Sequence, residues 1–197
     1  GIGGTRALEA LGFDADIYHC NEGHAAFMTL ERIRGLIRHH DLSYHQATEV
    51  VRSSSLFTTH TPVPAGHDYF TEDLLRKYMS DYCHQLSLTW HDFMALGRID
   101  ANNNDEPFSM SHLAIHLCQE VNGVSELHGL VSQQMFKPMF PGYNQQELHV
   151  SFVTNGVHYP TWIANDWHKL FLEFNGEKFV KDQSNLKLWE GIQKIPG

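Results

Sequence analysis

The chain has 197 residues, 42% of them hydrophobic, and a formal net charge of −9 with histidine neutral. That is enough apolar material for one α/β domain with a real core, and it excludes a mainly disordered chain. No apolar run approaches the ~20 residues of a membrane helix, and Lys and Arg form no patch, so neither a membrane nor nucleic acid is expected as a partner.

In chain order, Gly1-Ile2-Gly3-Gly4 reads as a glycine-rich turn, without the basic and apolar regions of a secretory leader. The chain is therefore expected to be an excised piece of a longer protein. Residues 16–20 read as a strand. Ala26, Leu30, Ile33 and Ile37 then recur at helical spacing, with Asn21 as the expected N-cap and Glu22 suiting the first turn. A second helix is expected over 44–53. Residues 55–60 are rich in β-formers and stop at the Pro62-Val63-Pro64-Ala65-Gly66 run. Strand, helices, strand predicts a parallel crossover. Further helices are expected over 71–86 with Thr71 as N-cap, 89–96, 110–119 (with a strand as the alternative) and 124–136, with a polar loop at 101–107 and another loop at 137–149. Residues 150–154 read as a third strand, 160–163 as a short helix, and 166–174 and 185–192 as helical.

Three polar motifs follow the three expected strands: Asn21-Glu22-Gly23-His24, Thr59-His60-Thr61 and Thr154-Asn155-Gly156. Ligands of open parallel sheets bind beyond the carboxyl ends of the strands, so the motifs point to one cleft. Asn and His both donate and accept hydrogen bonds, as a sugar hydroxyl does. A phosphate site would call for Lys, Arg or a glycine-rich nest instead. Each residue alone has a plainer reading. A strand-end His often only bonds nearby backbone, Asn-Gly is first a turn signal, and Glu22 suits a helix start.

Fifteen histidines raise the question of a metal. His19/His24, His60/His67 and His112/His116 match no familiar ligand spacing with a carboxylate or cysteine, so no metal site is expected. Cys20, Cys83 and Cys118 are an odd, unpatterned set, which argues against disulfides and for a reducing cytoplasm. No GxSxG elbow, P-loop or GxGxxG is present.

Four stretches together resemble the α-glucan phosphorylases, in the wording of the shorter bacterial and archaeal branch. They are 19–27 (HCNEGHAAF), 57–68 (FTTHTPVPAGHD), 121–129 (VNGVSELHG) and 154–158 (TNGVH). The resemblance implies a GT-B type, Rossmann-like domain with a parallel sheet and flanking helices. It makes 1–165 the incomplete core of the N-terminal domain and 166–197 a helical tail. It implies transfer of a glucosyl unit from the non-reducing end of an α-1,4-glucan to phosphate, with pyridoxal phosphate as cofactor. It assigns His60 as the catalytic-site histidine at the glucosyl 6-hydroxyl and Asn155 to the same hydroxyl. Glu22 and His24 become cleft-side substrate contacts; Asn21, Thr61, Asn122 and His128 become supporting residues. No segment matches the family's cofactor lysine, so no cofactor-binding residue is expected here and the isolated chain is expected to be inactive. Removing its neighbours would expose apolar surface and favour self-association. Another GT-B glycosyltransferase shares the cleft logic. A non-catalytic glucan-binding module would need exposed aromatic platforms, for which Trp90, Trp162, Trp167 and Trp189 are the candidates, although their helical spacing suggests packing.

Overall fold

The computed structural model describes residues 1–196; Gly197, the last residue of the expected tail, lies outside them. The chain packs as two compact units, one running Gly1–Thr154 and the other beginning at Asn155.

The first unit is built on four parallel strands in the order β1 (Tyr18–Asn21), β2 (Ser55–Thr58), β5 (Glu120–Gly123) and β6 (Val150–Phe152). In the sequence between β2 and β5 the chain forms a separate small antiparallel pair, β3 (Tyr69–Phe70) with β4 (Phe108–Ser109). The helices are α1 (Ile2–Ala10), α2 (Phe27–His40), α3 (Tyr44–Ser53), α4 (Glu72–Gln85), α5 (Trp90–Ala95), α6 (Met110–Leu117) and α7 (Glu126–Phe136). This is the expected α/β, Rossmann-like parallel sheet with flanking helices.

Register explains the sheet. Cys20, Phe57, Val121 and Val150 stand side by side across the four strands, and all four are buried. They meet Leu30 and Ile33 of α2, Ala47 and Val51 of α3, and Leu113 and Ala114 of α6 in one core. The neighbouring row, Asn21, Thr58, Asn122 and Ser151, is polar. Period-2 alternation thus puts the apolar set on the helical layer.

Local chemistry sets the helix ends. Ser43 and Gln46 form a reciprocal capping box at α3, and Thr89, Ser109 and Ser125 accept from backbone amides at the starts of α5, α6 and α7. Helix α2 ends at Asp41 in the left-handed region, with Arg38, His39 and His40 in its last turn where the dipole favours cations.

Several sequence expectations change. The glycine-rich opening is not a turn but the start of α1, held to α2 by two hydrogen bonds from Arg6 to Glu31. Asn21 is not a helix N-cap. It ends β1, and a short 3-10 turn over Gly23–Ala25 intervenes before α2. Thr71 does precede α4, but its side chain makes no capping bond. The sheet also has a fourth strand, because Glu120–Gly123 pairs with β2 on one side and β6 on the other.

The second unit comprises α8 (Tyr159–Trp162), α9 (Asn165–Asn175), α10 (Glu177–Lys181) and a 3-10 stretch over Leu186–Lys194. Its centre is Phe179, fully buried, with Tyr159, Phe171 and Trp189 edge-on around it. Trp90, in the first unit, stacks on Phe93. Trp162 stands exposed, and Trp167 is also largely exposed although its ring lies against Phe171.

Candidate active site

The carboxyl ends of β1 and β2 come together as the sequence implied. The parallel ladder between them runs from Tyr18 N donating to Ser54 O through Glu22 N donating to Thr58 O. Beyond it the chain leaves β2 through Thr59, buried, and His60, exposed. Thr59 N donates to Asn122 O, which keeps this segment tied to β5.

Glu22 occupies the junction. Its backbone sits at φ 70°, ψ 164°, a region used almost only by glycine and costing about 1–3 kcal/mol for other residues. Its carboxylate accepts three hydrogen bonds: Gly23 N to Oε1 at 3.0 Å, His60 N to Oε2 at 2.8 Å and Thr61 Oγ1 to Oε2 at 2.9 Å. Burial pushes this carboxyl up, but the bonds from His60, Gly23 and Thr61 outweigh it and hold it below the usual range. Gly23 beside it leaves no room for a side chain, since a Cβ would stand 2.9 Å from Ser111 Oγ.

Asn122 is braced from the side. His19 Nε2 lies 2.8 Å from Thr58 Oγ1, Thr58 Oγ1 donates to Asn122 Oδ1 at 2.9 Å, and Asn122 Nδ2 donates to Gly123 O at 3.0 Å. His128, buried on α7, accepts from Val124 N through Nδ1 at 3.1 Å, which places the proton of the neutral ring on Nε2. Both residues are held by their own protein contacts at the β5–α7 junction. A Cβ at Gly123 would meet His128 Nδ1 at 2.8 Å, so that junction is closely packed.

His24 lies exposed in the 3-10 turn after Glu22, and Asn21 is exposed at the end of β1. Asn155 begins the second unit. Thr58 was not singled out from the sequence, and His67 only as a rejected metal ligand. His67 is buried, with Nδ1 2.7 Å from Ser111 Oγ and its ring edge-on to Phe136. Burial pushes its imidazole down against the pull of Glu22 and Asp68. The sequence signs of it were its place in the 57–68 stretch and its spacing from His60.

Among the described residues no three His, Cys, Asp or Glu side chains gather into a group that could hold a metal. His116 is instead bonded through Nδ1 to Leu96 O at 2.7 Å. Every lysine side chain stands exposed, so the described residues offer no enclosed amine for an aldehyde cofactor and do not fit one. Among the described residues no helix is long and apolar enough to cross a membrane.

Comparison with known proteins identifies the family of the chain. The family described as "Carbohydrate phosphorylase" matches residues 9–194. The chain is 38% identical over 206 residues to a glycogen phosphorylase of Mycobacterium tuberculosis, covering 99% of this chain and 23% of that protein. It is 38% identical to a maltodextrin phosphorylase of Thermococcus litoralis, covering 100% and 23%, and 34% identical to a glycogen phosphorylase of Aquifex aeolicus, covering 100% and 28%. The chain thus spans about a quarter of the length of these relatives. Matched across almost its whole length, the chain belongs to the carbohydrate phosphorylase family.

Proposed function

We propose that the complete protein is an α-glucan phosphorylase, a hexosyltransferase that moves a glucosyl unit from the non-reducing end of an α-1,4-glucan to phosphate and releases glucose 1-phosphate. In this reading 1–165 belong to the core of the N-terminal domain, and the chain supplies a wall that positions the terminal sugar. The observation that carries it is the exposed His60 ring, whose own backbone amide and whose neighbour's hydroxyl, on Thr61, both donate to Glu22. The ring itself has no hydrogen-bond partner among the described residues. A rigidly mounted, unengaged imidazole suits a sugar hydroxyl, to which it can donate or accept. Asn155 is assigned to the same hydroxyl on the resemblance, and His24 to a cleft-side substrate contact.

The cofactor of the complete enzyme is pyridoxal phosphate in this reading, held outside this chain. Three free, buried cysteines accord with a reducing cytoplasm. The complete protein is expected to release glucose 1-phosphate from maltodextrin and phosphate. The isolated 197-residue chain is expected to release none and to develop no Schiff-base absorbance with pyridoxal phosphate. A complete protein without phosphorolysis, or a chain that forms the band, would overturn the reading.

The isolated chain is also expected to self-associate. Leu127 and Leu130 on α7 stand exposed, as do Phe152 and Val153 at the end of β6, which packs on α7. Light scattering across a concentration series checks this, and a strictly monomeric chain at high concentration would contradict it.

A further inference from the structure

The strained backbone of Glu22 has a visible consequence for the ladder between β1 and β2. Tyr18 N donates to Ser54 O and Glu22 N to Thr58 O, so the next rung of a regular parallel ladder would join His60 N to Glu22 O. The left-handed turn at Glu22 takes that carbonyl out of the ladder. It accepts instead from Ala25 N at 3.3 Å and from Cys20 Sγ at 3.4 Å. The rung to His60 is still made, but by the Glu22 side chain, through Oε2 at 2.8 Å. The same oxygen takes the Thr61 hydroxyl.

The geometry points to Glu22 as a positioning residue: its carboxylate replaces a backbone rung, holds the His60 amide and the Thr61 hydroxyl on one oxygen and so aims the His60 ring. The inference rests on the reading of His60 given above. It departs from the direct sugar contact that the resemblance assigns to Glu22. Three of the four lone-pair positions of the carboxylate are already taken by Gly23, His60 and Thr61. A charged acceptor also holds two donors in line more firmly than a peptide carbonyl would. Glutamine cannot substitute, because its NH2 would face either the Gly23 amide or the His60 and Thr61 donors.

Two measurements test it. Amide hydrogen exchange on the 197-residue chain is expected to show His60 protected although the residue is exposed. Glu22→Gln is expected to speed that exchange at least about tenfold, which is the loss of one charge-assisted hydrogen bond, while Phe57 and Val121 stay protected. An unprotected His60 amide in the unaltered chain overturns the rung, whether or not the variant folds. In the complete protein, Glu22→Gln is expected to lower kcat/KM about tenfold or more, and Glu22→Gln/His60→Ala is expected to be no worse than His60→Ala alone. Losses that multiply would mean that Glu22 acts on the sugar independently, and the inference falls. If His60→Ala alone leaves kcat/KM unchanged, the reading of His60 falls, and the exchange result still decides the rung.

Discussion

Replacing His60 by alanine in the complete protein is expected to lower kcat/KM for glucan phosphorolysis by at least about a hundredfold. One hydrogen bond to a sugar hydroxyl accounts for about 1–2 kcal/mol, roughly five- to thirtyfold. The remainder comes from placement. A group that binds a non-reacting hydroxyl contributes to rate by holding the reacting carbon in line, and a misplacement of about 1 Å costs on the order of a hundredfold. The mounting of His60 makes it suited to this. Its amide is fixed to Glu22 at 2.8 Å, the next residue is fixed to the same oxygen, and Thr59 is tied to β5. The exposed ring carries no load in the core, so the variant is expected to fold with unchanged stability. A donor lacking the 6-hydroxyl should lose rate with the unaltered protein and lose little more with the variant. Near-normal kinetics in a folded His60→Ala protein would remove His60 from the site.

Much of the fold around His60 was legible because it follows from periodicity. The stripe of Ala26, Leu30 and Ile33 in and before α2 is buried as its spacing required. Of the β-formers at 55–60, Ser55–Thr58 form β2, ahead of the proline-rich run. What was hidden depends on contacts distant in sequence. Glu120–Gly123 has one large apolar residue, Val121, and ends in Asn-Gly, which locally spells a turn. It becomes a strand because β2 and β6 hold it from both sides. Glu22 read locally as a helix-start charge. Its partners His60 and Thr61 lie 38 and 39 residues away, a distance that only the register of β1 on β2 converts into contact. Thr58 was hidden in the same way, since its bonds to His19 and Asn122 cross two strand boundaries. For the candidate site, the residue types and the strand-end address were readable, and the division of labour among them was not.

The largest expected loss of stability lies away from the sugar site, at Glu31 on α2. This carboxylate is almost fully buried, 1% exposed, and receives Arg34 from its own helix, Arg6 from α1 and the Tyr82 hydroxyl from α4. Glu31→Gln is expected to destabilise the chain by about 3–5 kcal/mol, because Arg34 is left buried without its countercharge. Arg6→Ala should cost no more than about 1 kcal/mol, since that guanidinium is half in solvent. The pH dependence separates the pair further. Burial pushes the Glu31 carboxyl up, but the bonds from Arg34, Arg6 and Tyr82 outweigh it and bring it down to about 2. Its unfolded value is about 4.3, so the native state binds fewer protons and the contribution is complete above that pH. It is lost as pH falls from there through about 2. Denaturant midpoints measured between neutral pH and that limit are therefore expected to converge for the unaltered chain and Glu31→Gln. Midpoints that stay parallel would mean that the carboxylate is not held ionised by its partners, and a variant within 1 kcal/mol of the unaltered chain at neutral pH would show that Arg34 does not depend on it.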